Sequence, residues 1–251
     1  MKQSQMHITE NSRIARDVYR MRLAGDCTGI TQPGQFVNLQ LDGCFLRRPI
    51  SVSDWSDDSL TLIYKTVGKG TEQMSRMLPG ESLNILTGLG NGYTLSRAGD
   101  HPLLIGGGVG VPPLYGLAKS LRKQGKPVTA VLGFNTGADV FAETDFRDLG
   151  CNTILATADG SLGRKGFVTD VLPEKYSYYY ACGPLPMLKA VYRACLSDGE
   201  FSLEERMGCG LAPAWDAAFK PAAVRVASVA KALYSERRNC HGTTERKSLR
   251  D

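Results

Sequence analysis

A small antiparallel β-barrel, followed by a doubly wound α/β domain with a parallel sheet and then an irregular tail, is the architecture that the sequence predicts. Three observations predict it. Short, often alternating apolar runs extend from Ile8 to about Leu95; from about Gly99 buried apolar stretches alternate with helical ones; and the composition changes abruptly after Gly210.

In the first region, residues 35–41 and 59–65 alternate apolar and polar positions between Gly, Pro and Asp turns, the pattern of antiparallel strands with one buried face. The segment Lys65-Thr66-Val67-Gly68-Lys69-Gly70-Thr71 opens a helix from a glycine-containing loop. Residues 97–101 form the boundary turn. Beyond it come a strand at 102–105, a helix at 114–124, a strand at 128–134, strands at 152–157 and 178–182, and a helix at 186–198. The expected domains are 1–98, 99–200 and 201–251.

Composition narrows the class. A chain of 251 residues with 42% hydrophobic, 22% charged and 8% aromatic residues has enough apolar surface for one large or two modest domains, which excludes disorder throughout. No apolar run reaches the length of a membrane span. The polar start MKQSQMHITE lacks the apolar core of a signal peptide, so a soluble cytoplasmic protein is expected. Seven scattered cysteines, an odd number, do not read as a secreted disulfide framework; free thiols or metal ligands fit better. The net charge of +5 suggests nucleic acid until it is mapped: residues 211–251 hold eight Lys and Arg against four Asp and Glu, so the first 210 residues are close to neutral. No nucleic-acid partner is expected.

Two elements of the barrel region suit an anion. Leu46-Arg47-Arg48-Pro49-Ile50-Ser51 sets a cation and a hydroxyl around a stiff proline, and the arginine fork matches a phosphate with two parallel hydrogen bonds. The loop at 65–71 offers backbone amides. Taken singly, an exposed ion pair and an ordinary turn would account for them; together they suggest a dinucleotide. In the α/β region, Gly106-Gly107-Gly108-Val109-Gly110 joins a strand to a helix start, where glycine lets backbone approach phosphate closely; such turns also serve packing. It is not a G-x-G-x-x-G followed by an acid at the ribose distance, so an ordinary Rossmann dehydrogenase fits less well. Ala181-Cys182-Gly183-Pro184-Leu185-Pro186-Met187 is again a strand-to-helix turn, at the end of an α/β sheet where ligands bind. His7, His101 and His241 have no metal spacing.

In this order the pieces resemble the ferredoxin reductase superfamily over residues 8–200. Arg48-Pro49-Ile50-Ser51 is similar to its R-P-x-S flavin motif, residues 106–113 to its nicotinamide-phosphate loop, and Cys182-Gly183-Pro184 with Met187 to its C-G-P-x-x-M segment. Residues 202–210, Ser-Leu-Glu-Glu-Arg-Met-Gly-Cys-Gly, resemble the opening of the iron–sulfur segment in the electron-transfer subunits of dihydroorotate dehydrogenase B. The resemblance implies FAD, with Arg48 on its pyrophosphate, Pro49, Ile50, Ser51, Lys65, Thr66 and Val67 along the flavin, and Gly70 and Thr71 at the phosphates. It implies NAD, with Gly106 to Gly110 at its phosphates and Cys182, Gly183, Pro184 and Met187 beside the nicotinamide. NAD is preferred to NADP because no Arg or Lys follows residues 132–136 before Arg147 to meet a 2′-phosphate. No residue is assigned as a catalytic acid, base or nucleophile, since the flavin carries the chemistry. It further implies an FMN-containing dihydroorotate dehydrogenase catalytic subunit as partner in a hetero-oligomer, a [2Fe–2S] centre with Cys209 as first ligand, and a role in pyrimidine biosynthesis. Another NAD(P)H–ferredoxin oxidoreductase subunit, a stand-alone flavin reductase, or a nucleotide-binding module without turnover are the other readings.

The resemblance breaks in the tail. The family continues Cys-x4-Cys-x2-Cys and then a fourth Cys, four thiolates for one cluster; here only Cys240 follows Cys209, so the chain as written does not complete the site. Only one glycine, Gly242, follows Gly210, while alanine fills nine of the positions 212–232. Joining the third base of each codon to the first two of the next restricts the residue at every junction. From Leu211-Ala212 to Ala217-Ala218 those junctions can spell Gly-Ala-Cys-Met-Gly-Cys-Ser, and Ser228-Val229 can give a further Cys. A reading frame lost by one base after about Gly210 is the expectation, against a genuine basic, Ala-rich helix or disordered extension.

Overall fold

The computed structural model describes residues 1–195 together with the backbone of 201–205. Six strands close a barrel in the order β1-β2-β5-β4-β3-β6. They are β1 (Lys2–Ala15), β2 (Val18–Ala24), β3 (Phe36–Gln40), β4 (Arg48–Trp55), β5 (Ser59–Lys65) and β6 (Ser82–Leu89); helix α1 (Lys69–Ser75) crosses between β5 and β6. Alternation sends Met6 and Ile8 of β1, Met21 and Leu23 of β2 and Leu60 and Leu62 of β5 into one apolar core, while their neighbours face outward.

Strand β1 starts six residues before the expected barrel edge at Ile8. Its first half pairs with β6 (Lys2↔Thr87 to His7↔Ser82) and its second half with β2 (His7↔Ala24 to Ala15↔Val18). One long strand thus serves both neighbours and closes the barrel. Of Lys2 to His7 only Met6 is buried, so the segment carries almost no apolar periodicity to read.

The second unit is a parallel sheet in the order β10-β9-β8-β7-β11-β12. Its elements are β7 (Pro102–Gly107), α2 (Val111–Lys123), β8 (Thr129–Phe134), α3 (Glu143–Asp148), β9 (Asn152–Thr157), β10 (Arg164–Lys165), β11 (Tyr178–Gly183), α4 (Leu185–Cys195) and β12 (Phe201–Glu205). Strands β8 and β9 spread from one side of β7 and β11 and β12 from the other, so the winding reverses at β7, and the crevice at the carboxyl ends there is where such sheets bind ligands. Helix α2 begins at Val111, three residues earlier than the sequence suggests. Pro112 and Pro113 occupy its first turn, where no intrahelical N–H bond is lost. The short helix α3 was not anticipated: six residues give too little periodicity.

The two units are packed against each other. Val18 and Ile63 of the barrel share a buried apolar cluster with Val111, Leu114 and Leu117 of α2. Gly116 lies so close to β4 that a Cβ there would be 3.0 Å from Ser53 O and 3.1 Å from the Trp55 ring. Lys119 Nζ donates to both carboxylate oxygens of Asp54, at 2.6 and 2.8 Å. Arg20 Nη2 donates to Asp145 Oδ2 at 2.5 Å. Among the described residues no helix is long and apolar enough to cross a membrane.

Candidate functional site

On the barrel a cavity of about 360 Å³ opens between the start of β4, the end of β5 and the entry to α1. Arg48, Pro49, Ile50, Ser51, Lys65, Val67, Gly70 and Thr71 line it, and Thr66 does not. The tandem arginines divide their work. Arg47 donates to Asn38 O (3.3 Å), Asn84 O (3.1 Å), Asn84 Oδ1 (2.6 Å) and Gln40 Oε1 (2.9 Å), tying β3 to β6. Arg48 faces the cavity, its Nη1 donating to Leu46 O at 2.5 Å. Its side chain lies across Gly70: a Cβ on Gly70 would overlap Arg48 Nε and sit 3.0 Å from Cζ and 3.1 Å from Cδ.

The loop before α1 is shaped by Thr71. Its hydroxyl accepts from Val67 N (2.9 Å) and Gly68 N (3.3 Å) and donates to Gly68 O (3.0 Å). Two of the amides that the sequence offers to an anion are therefore satisfied inside the loop, and Thr71 acts by holding its shape. Tyr64 forms part of the wall; its hydroxyl, kept protonated by burial, donates to Asn11 Oδ1 at 2.9 Å. Asn11 Nδ2 in turn donates to Met74 O (2.8 Å) and Met77 O (2.9 Å) at the end of α1. Asn11 links wall and helix across more than fifty residues of sequence, a connection no local motif signals.

A second cavity, of about 540 Å³, lies at the carboxyl ends of β7, β8 and β11. Gly107, Gly108, Val109, Pro184 and Met187 line it. Gly106, Gly110, Cys182 and Gly183 stand behind that lining. A Cβ on Gly106 would meet Val111 and Leu114, and one on Gly110 would overlap Cys182 O and lie 2.7 Å from Gly183 Cα. Their glycines bring turn and strand together, whereas Gly108, at φ +52°, presents bare backbone to the cavity with open space above it. Cys182 is buried behind that wall. The same cavity is walled by Phe134 at the end of β8 and Asn135 just after it, Phe167 and Val168 before β11, and Arg16 and Val18 from the barrel. Sequence reading missed Arg16 in particular, because a hairpin tip more than ninety residues from the glycine turn gives no local signal.

The two cavities abut. Lys65 and Val109 line both. Lys65 comes from the barrel and Val109 from the glycine turn, so the proximity arises from the packing of the units. Among the described residues lining the second cavity, Arg16 and Lys65 are the cations, and Asp139 is the carboxylate.

No group of three or more metal-ligating side chains occurs among the described residues. Cys27, Cys44 and Cys151 are free thiols. Cys209, Cys240 and the remainder of the expected third segment lie outside the described residues. His7 bonds Ser82 Oγ at 2.8 Å on the surface, and His101 lies exposed in the boundary turn.

No family model matches the chain. It is 47% identical over 224 residues to the dihydroorotate dehydrogenase B (NAD(+)) electron transfer subunit of Geobacillus sp. strain WCH70, covering 84% of this chain and 86% of that one. It is 44% identical over 226 residues to the subunit of the same name from Fusobacterium nucleatum, covering 84% and 87%. Among solved structures, an NADH-dependent reduced ferredoxin–NADP oxidoreductase superposes with a TM-score of 0.69 at 29% identity, covering 76% of this chain and 72% of that one. A ferredoxin NADP+ reductase from Neisseria gonorrhoeae with bound FAD and NADP superposes at 0.71 and 14% identity, over 82% and 100%.

Proposed function

The chain belongs to the electron transfer subunits of dihydroorotate dehydrogenase B, and from that premise we propose that it carries electrons between an FAD in the barrel cavity and an NAD in the α/β cavity. It is an oxidoreductase subunit with a ferredoxin reductase fold. The observation that carries the reading is that Lys65 and Val109 line both cavities, so that a flavin in one and a nicotinamide in the other would meet at their shared edge.

The residues present suit both nucleotides. At the barrel, Arg48 packed on a glycine leaves a guanidinium beside a polar loop, the donor set for a pyrophosphate. Ser51 and Tyr64 would border the ring, and Pro49 fixes the start of β4 without needing a donor. At the sheet, Gly107 and Gly108 would admit phosphates to bare backbone, and a Cβ on Gly107 would overlap Met187 Sδ and sit 3.2 Å from Pro184 Cδ. The nicotinamide would lie against Val109 and Pro184. The bound cofactors supply hydride and one-electron chemistry. The chain's part is to hold them in register, exclude water with Val109, Phe134, Pro184 and Met187, and keep a cation at Lys65 by the junction. NAD rather than NADP is supported by the absence of Lys or Arg at residues 135–146.

A [2Fe–2S] centre does not fit this chain as written. Beyond Glu205 it offers Cys209 and Cys240, two of the four thiolates required. The unmatched 16% of the chain is the size of the segment after Gly210, in keeping with a reading frame lost there. In a chain whose frame is intact, we place the dihydroorotate-oxidising FMN subunit as donor, in cytoplasmic pyrimidine biosynthesis. β12 pairs in parallel with β11, Gly183 opposite Glu205, so it points the chain toward the cofactor end four residues before Cys209. The missing thiolates favour one further reading for the chain as written, an NADH-dependent flavin reductase without its partner.

The test is anaerobic addition of NADH to the FAD-loaded chain, which bleaches the visible flavin absorption. A flavin that dithionite bleaches and NADH does not would refute the reading and favour a nucleotide-binding module. The same preparation is expected to be free of iron and acid-labile sulfide; a full complement of either would contradict the lost frame, as would resequenced DNA with no base omitted near codon 210.

A further inference from the structure

We propose that Arg16, at the tip of the first barrel hairpin, is the charged partner of the pyridine nucleotide's pyrophosphate, and that it stands only loosely paired with Asp139 across the interface until the nucleotide arrives. The inference rests on the reading of the α/β cavity as a dinucleotide site and adds a residue that no motif in the chain contains.

The wall that the sheet presents to the phosphates is made of glycine backbone and apolar side chains, and among its described residues none from the α/β unit is a lysine or arginine. A diphosphate with two negative charges gains from a charge-assisted contact added to backbone dipoles when it leaves water. Positive charge in this cavity comes from the barrel, as Lys65 and Arg16. The two are neighbours: Val18 pairs with Lys65 in the β2–β5 ladder, and Thr66 N donates to Asp17 O at 2.8 Å, which brings the hairpin tip beside the end of β5. Lys65 also lines the flavin cavity, whereas Arg16 lines the α/β cavity alone.

The backbone of Arg16 is fixed and its side chain is not. Arg16 N donates to Ala138 O at 3.1 Å, clamping the hairpin onto the loop after β8. Its Nε stands 3.8 Å from Asp139 Oδ1, too far for a hydrogen bond, and the side chain is 53% exposed. The other arginine that crosses the interface, Arg20, meets its carboxylate at 2.5 Å. Asp139 has a partner of its own, since Thr136 Oγ1 donates to its Oδ2 at 3.0 Å. A guanidinium whose main chain is anchored, whose ion pair is loose and whose fork is free is preorganised for a bidentate contact with a diphosphate.

The test is calorimetric titration of the FAD-loaded full chain with ADP-ribose, which carries the pyrophosphate and cannot be reduced. Arg16→Ala is expected to weaken binding about tenfold or more, Arg16→Lys to recover part of it, and Asp139→Asn, which keeps an acceptor for Thr136 and releases the guanidinium, to leave binding equal or tighter. Equal losses in Arg16→Ala and Asp139→Asn would show that the pair only staples the hairpin and would overturn the proposal, as would Arg16→Ala binding like wild type. A loss confined to 2′-phospho-ADP-ribose would move the contact to the other phosphate and overturn it too. Failure of the wild-type chain to bind ADP-ribose at all would instead remove the reading of the cavity on which the proposal stands.

Discussion

Replacing Gly70 by alanine separates cofactor binding from folding. Gly70 is buried in the first turn of α1 in a conformation any residue can adopt, so the backbone tolerates a side chain, and alanine is the better helix former by up to about 1 kcal/mol. That gain corresponds to a rise of about 2–4 °C in the midpoint of a flavin-free melt for a chain of this size. The new Cβ, however, would overlap Arg48 Nε and sit within 3.1 Å of Cδ, so the guanidinium must leave its position over the loop. Losing the charge-assisted contact proposed between Arg48 and the flavin's phosphates would cost about 1.5–3 kcal/mol, or about 10- to 150-fold in affinity for FAD. The assay pairs FAD titration by flavin fluorescence with thermal unfolding of the flavin-free chain. Unchanged FAD affinity in Gly70→Ala would refute the role given to Arg48, and a large fall in the flavin-free midpoint would refute the claim that the clash falls on that side chain alone.

The adjacent arginines should behave as opposites: Arg47→Ala loses bonds to β3 and β6 and is expected to destabilise the barrel by about 1.5–3 kcal/mol in urea unfolding, whereas Arg48→Ala keeps the flavin-free stability and loses FAD. Val109→Phe adds bulk to the wall between the cavities and should slow flavin reduction by NADH about 100-fold, with FAD binding and dithionite reduction intact; a wild-type rate would mean that the cofactors meet elsewhere. Burial pushes the Cys27 and Cys151 thiols up from 9.0 to about 11. The unfolded thiols ionise first, so stability is expected to fall as pH rises from about 9 to about 11. Cys27→Ala should flatten part of that decline in urea melts, and an undiminished slope would contradict the assignment.

What the sequence disclosed follows from where the signals lie. Strand β5 and strand β9 have their expected limits because alternation or a continuous apolar run, bounded by turn residues, is local information. The glycine turn and the Cys182-Gly183-Pro184 turn were legible as strand-to-helix junctions for the same reason. Arg47, Asn11 and Arg16 were not: one braces two strands, one joins a tyrosine to a helix end, and one reaches a cavity of the other unit, and each connection exists only after the chain has closed. Thr71 was legible as part of an anion loop, yet its hydroxyl is spent on the loop's own amides, a distinction that depends on backbone geometry. Likewise Gly106 and Gly110 share a motif with Gly107 and Gly108 but face the packing side of the turn.

If flavin and nicotinamide occupy the two cavities that Lys65 and Val109 both line, as proposed, hydride passes directly between them, from one face of the nicotinamide ring. Rapid-mixing measurement of FAD reduction by NADH deuterated separately at each C4 position tests this most directly. A primary isotope effect for one of the two positions alone is the expected result. Equal rates for both labels, with reduction no faster than that of free flavin in solution, would contradict it.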